Sequence, residues 1–107
     1  MTANKPTLIF CTCPNEDAAR KVATAVVERR LAACVNIIPG VRSIYRWEGA
    51  IADDQEHLLL MKTNESQIDP LVEFVEQIHP YELPEIIAVN IEHGLGKYLT
   101  WIEDEVS

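Results

Sequence analysis

The chain has 107 residues, 48% of them apolar and 24% charged, with a formal net charge of −8. That length fits one domain spanning 1–107, and the apolar share belongs to a globular chain rather than a disordered one. The acidity argues against a nucleic-acid partner, which needs clustered Lys and Arg, and no apolar run approaches the ~20 residues that cross a bilayer, so no membrane insertion is expected.

The opening MTANKPT has no signal-peptide core, so a cytoplasmic location is expected. Residues 7–13, TLIFCTC, are apolar or β-branched and stop at Pro14, which predicts a buried strand. Asn15 reads as a helix N-cap, with Glu16 and Asp17 in the first turn. Ala19, Val22, Ala23 and Val26 then form one apolar helical face, reaching about Arg30. ACVNII (33–38) is a second strand, interrupted at Pro39-Gly40 as a bulge or bend would be.

VRSIYRWE (41–48) continues it, with Val41, Ser43, Tyr45 and Trp47 on one face and Arg42, Ile44, Arg46 and Glu48 on the other. Gly49 marks a turn, and the return strand runs within 51–63, most clearly at HLLLMKT. Ser66 with Asp69 resembles a capping box and opens a second helix, whose apolar face is Ile68, Leu71, Val72, Val75 and Ile78 or His79. Pro80 stops it near His79. EIIAVNI (85–91) is a strand, EHGLG a loop, and Leu95, Tyr98, Leu99 and Ile102 mark a short closing helix.

The order β-α-β-β-α-β plus a terminal helix predicts an α+β, ferredoxin-like split βαβ fold. The hairpin over roughly 41–63 is long for a small domain. A lone ribbon is marginal and its edges invite pairing, so pairing between subunits is expected.

Four stretches resemble the CutA family of divalent-cation tolerance proteins: FCTCPNEDAARKVA at 10–23, RLAACVNIIPGVRSIYRWEG at 30–49, LLLMKT at 58–63 and HPYELPEIIAVNIEHGLGKYLTWI at 79–102. The resemblance implies a homotrimer with long hairpins crossing between subunits, no firmly attached catalytic reaction, and a role in tolerance of copper and other divalent metals. It also implies a likeness to PII-type signalling trimers, which gives the alternative expectation of a small ligand in inter-subunit clefts. In copper-binding members the ligands are a cysteine ending the first strand and two histidines before the PY motif. The cysteine carries onto Cys11 and the second histidine onto His79, while Ile78 occupies the position of the first.

Read as residues, Cys11 and Cys13 lie two apart on a strand, so both thiols point to one face, ~6.5–7 Å apart along the backbone. Thiolates favour monovalent copper and imidazole accepts copper or zinc, which makes Cys11 and His79 the metal candidates and Cys13 an added one. Cysteine is also among the most buried residue types, so packing in the core is the competing reading, and the one adopted for Cys34. The odd cysteine count and the lack of C-x-x-C argue against a disulfide framework, a zinc ribbon or a thioredoxin motif.

His57 and His93 read as structural or surface residues. Tyr45, Trp47, Glu48, Lys62, Tyr81, Glu82 and Glu85 are candidate cleft-lining residues, though aromatics are equally common in plain oligomer interfaces. No Ser-His-Asp order, H-E-x-x-H or phosphate loop appears, so the chain is not expected to be an enzyme. No metal is expected to be required for folding. A regulatory or membrane partner of unknown identity is compatible with the sequence.

Overall fold

A computed structural model describes residues 4–106. Strand β1 (Pro6–Cys13) runs through the middle of a four-stranded antiparallel sheet, paired on one side with β3 (Ala50–Asn64) and on the other with β4 (Ile86–Asn90); β2 (Cys34–Trp47) adds outside β3. The spatial order β2-β3-β1-β4 with two intervening helices is the ferredoxin-like split βαβ arrangement.

Helix α1 (Glu16–Glu28) starts where Asn15 accepts the Ala18 N–H at 2.8 Å. It ends in a Schellman motif, with Arg30 N–H donating to Val27 O and Leu31 N–H to Val26 O. That geometry puts Arg30 at φ 58°, a conformation usually reserved for glycine. Helix α2 (Ile68–Ile78) packs beside α1, and Arg29 stacks 4.3 Å over the Phe74 ring between them.

The start of α2 differs from the capping-box expectation. A 3-10 turn over Glu65–Gln67 precedes the helix, and Gln67 is the cap without a side-chain bond. Ser66 instead receives the Asn4 amide on its hydroxyl at 3.0 Å and donates its own N–H to Asn4 Oδ1 at 3.1 Å. A partner 62 residues away thus takes over the role a local Asp was expected to fill.

The core lies between the helices and one sheet face. Ile9, Cys11 and Cys13 of β1, with Leu59 and Met61 of β3, meet Ala19, Val22 and Val26 of α1 and Leu71 and Val75 of α2. The opposite face is apolar as well, but only its end is covered, by helix α3 (Gly96–Glu105), where Ile102 is buried and Lys62 Nζ stands 5.6 Å from the Tyr98 ring centre. In register across this face lie Leu8 with Val89, Phe10 with Ile87 and Leu60, and Leu58 with Ile38. Ile87 is 56% and Val89 48% exposed.

β1 ends opposite His57, so β2 and β3 continue alone as a two-stranded ribbon from Val41↔Glu56 to Trp47↔Ala50. The molecule is consequently elongated, 47 × 25 × 23 Å. Glu48 and Gly49 close the ribbon with φ 50° and 80°, the two positive angles that a two-residue hairpin turn needs. At the ribbon's base the register shifts between Ile38 and Val41, the bulge expected at Pro39-Gly40, with Gly40 at φ 74°.

Candidate metal centre

The end of β1 and the end of α2 meet at one point. Pro14 lacks the N–H that would extend β1, and Pro80 forces His79 out of the helix into an extended conformation, φ −72° and ψ 140°. The His79 N–H still closes the helix on Val75 O at 2.8 Å, and its ring lies over the β1 terminus. There the donor atoms of Cys11, Cys13 and His79 all fall within 4.8 Å of one another, and all three residues are buried.

The imidazole has a definite set of partners. Nε2 lies 2.8 Å from the Thr12 carbonyl oxygen, an acceptor only, so Nε2 carries the proton. Nδ1 accepts the Tyr81 backbone N–H at 3.0 Å, which uses the remaining lone pair. The same Nε2–H is 3.6 Å from Cys13 Sγ. Both ring nitrogens are therefore engaged by the protein.

The two thiols differ. Cys13 sits below the ordinary cysteine value, chiefly because the Cys11 thiol hydrogen-bonds its sulfur; burial and Glu56 oppose the shift. The same bond, with burial and the negative charges around it, pushes Cys11 far up. The Cys11 proton has the Thr12 carbonyl, 3.9 Å away, as its other acceptor.

Around this cluster, Tyr81 tilts against the His79 ring with centroids 4.9 Å apart and donates its hydroxyl to Glu56 Oε2 at 2.8 Å. Burial and that carboxylate raise the Tyr81 hydroxyl well above its usual range. His57 faces Cys13 across the β1–β3 ladder, and its Nδ1 has no hydrogen-bond partner among the described residues. Its place opposite Cys13 follows from the β1–β3 register, which sequence alone leaves open by one residue in either direction.

The other candidates do not converge within one protomer. Tyr45 and Trp47 lie half-exposed on the ribbon, with the Tyr45 hydroxyl on Asp54 Oδ2, and Glu48 is in the turn. Glu82 and Glu85 are exposed in the loop before β4. Lys62 is at the end of the second sheet face that α3 covers, 3.9 Å from Cys34 Sγ, and among the described residues it forms no ion pair. Cys34 is half-buried, and His93 is exposed in the loop before α3.

A split βαβ sheet with two thiols and an imidazole gathered at the end of its central strand defines a ferredoxin-like domain with a soft-metal donor set. The family model described as CutA1 divalent ion tolerance protein matches residues 7–105. Among similar proteins, the divalent-cation tolerance protein CutA of Thermus thermophilus is 50% identical over 97 residues, covering 91% of this chain and 94% of that one. Protein CutA of Mus musculus is 53% identical over 93 residues, 87% of this chain and 52% of the mouse protein, so the chain spans about half the length of that relative. The crystal structure of CutA from Xylella fastidiosa superposes with a TM-score of 0.94 at 45% identity, covering 96% of this chain and 99% of the other. The chain belongs to the CutA1 divalent ion tolerance family.

No helix among the described residues is long and apolar enough to cross a membrane.

Proposed function

We propose that this chain acts, as one unit over residues 1–107, as a cytoplasmic, homotrimeric metal-tolerance protein that takes up copper at the buried site lined by Cys11 and His79. The observation that carries this reading is the convergence of two thiols and an imidazole within 4.8 Å at the junction of β1 and α2. Thiolate sulfur suits copper better than it suits hard divalent ions. The donor set fits through its sulfurs: they are buried and face one another, whereas both nitrogens of the His79 ring already have partners.

Trimer assembly is supported by the uncovered apolar sheet face and by a ribbon too long to be stable as a lone hairpin. The proposed role includes no catalytic step and no metal requirement for folding.

The test is copper titration of the reduced protein alongside Cys11→Ala and His79→Ala. Binding at about one ion per chain that weakens in Cys11→Ala supports the site. Equal binding by all three proteins would sink it.

A further inference from the structure

In a strand, residues two apart project to the same face with their Cα atoms roughly 6.5–7 Å apart. At the end of β1 the sulfurs of Cys11 and Cys13 come closer than that, within 4.8 Å. Two metal–sulfur bonds of about 2.3 Å span at most about 4.6 Å, less when bent, so sulfurs held within 4.8 Å can share one ion, which then takes the place of the hydrogen bond between the two thiols.

The imidazole is differently placed. A neutral ring binds a metal through a bare nitrogen, and neither nitrogen of His79 is bare: Nδ1 receives the Tyr81 N–H and Nε2–H points at the Thr12 carbonyl. Ligation through Nε2 would move the ring proton to Nδ1, where it would face the Tyr81 N–H head-on. Held as it is, Nε2 lies 3.6 Å from Cys13 Sγ, so the proton it gives to the Thr12 carbonyl has that sulfur as a second, weaker acceptor. Ile78, the residue before His79, offers no donor atom.

We propose that Cys11 and Cys13 together form a two-coordinate bis-thiolate site for a soft monovalent ion, copper(I) or silver(I), and that His79 is a positioning residue which donates a hydrogen bond to the bound sulfur without ligating the metal. This rests on the reading of the cluster as a metal site and names its ligand set and ion class. Binding forms two metal–sulfur bonds and releases the two thiol protons to water, with no change in oxidation state. Zinc(II) takes four ligands, more than the three donors gathered here among the described residues, of which the His79 ring is already engaged.

The full-length reduced protein is titrated anaerobically with copper(I) against a competing chromogenic chelator, together with Cys11→Ser, Cys13→Ser and His79→Gln. Glutamine restores an N–H donor and an acceptor at this position but has no imidazole nitrogen. The expected result is a loss of about 100-fold or more in both serine variants and less than about 10-fold in His79→Gln, the range of an outer-sphere partner. X-ray absorption of the copper(I) form is expected to show sulfur neighbours and no imidazole scattering.

Imidazole in the first shell, or wild-type affinity in Cys13→Ser, would overturn the bis-thiolate site. If Cys13→Ser still binds while Cys11→Ser does not, the metal reading stands and this inference alone falls. A wild-type protein that takes up no copper(I) overturns both. Silver(I) titration followed by thermal melting gives a second readout: stabilisation that disappears in Cys13→Ser supports the site, and stabilisation that persists in Cys13→Ser removes it.

Discussion

The Tyr81 hydroxyl meets the Glu56 carboxylate at 2.8 Å, bridging the loop before β4 to the point on β3 where β1 stops. Glu56 is only 6% exposed, and this bond is its side-chain partner among the described residues. Tyr81→Phe removes the donor and leaves a buried carboxylate short of a partner. The expected cost is about 1–3 kcal/mol, read as a lower urea midpoint at unchanged slope. Adding Glu56→Gln to Tyr81→Phe is expected to recover part of the loss, since the charge no longer needs solvation. Strictly additive losses would show that the two groups do not interact.

The uncovered sheet face gives a prediction about assembly. Ile87 sits on its edge strand β4, paired with Phe10 and 56% exposed. Ile87→Glu puts a charge into a patch that assembly would bury. Sedimentation is expected to move from a species of three chains to one of a single chain, with the helical signal of the fold retained. An unchanged sedimentation coefficient would remove this face from the interface.

The thiols give a prediction with a sign in pH. Cys13 lies below the ordinary cysteine value through its bond from Cys11, and Cys11 lies far above it. In a Cys34→Ser background, ultraviolet thiolate absorbance is expected to rise by one thiol below the usual cysteine range, with the second thiol silent until well above it. Cys11→Ala removes the donor to Cys13 and is expected to shift the first step to higher pH. Two thiols titrating together at the ordinary value would contradict the pairing.

Two stability predictions follow from local geometry. Asn15→Ala deletes the cap on the Ala18 N–H and is expected to cost about 1 kcal/mol, with Asn15→Asp close to neutral. Leu59, fully buried opposite Cys11, is expected to cost about 2–5 kcal/mol on change to alanine, with the range set by how far the core collapses. Chemical denaturation measures both.

Elements whose signals are local could be read from the sequence. The Asn15 cap, the four-residue apolar face of α1, the break at Pro39-Gly40 and the stop at Pro80 all depend on neighbours in the chain, and each appears where those neighbours put it. The start of α2 could not be read this way, because the group that satisfies Ser66 comes from Asn4 at the other end of the chain. The candidate metal centre divides in the same manner. That Cys11 and Cys13 share a face follows from strand periodicity, and His79 entered through the family resemblance. What decides whether the imidazole is free to act is the Tyr81 N–H and the Thr12 carbonyl, backbone groups whose direction depends on the turn at Pro80 and the end of β1.

The bulge between Ile38 and Val41 has a consequence beyond local twist. Ile38 pairs with Leu58 and Val41 with Glu56, so three steps along β2 match two along β3. Odd-numbered residues beyond the bulge therefore take the side that even-numbered ones hold before it. A variant shortened by one residue here would match two steps with two and keep Val41 opposite Glu56, so Ser43, Tyr45 and Trp47 would hold their side while the bulge and its bend are lost. Which side chains the ribbon offers to a neighbouring molecule is thus decided at its root: were the full-length β2 to pair on without the bulge, every side chain beyond Ile38 would change sides, whereas a one-codon deletion there would keep the surface and remove only the bend.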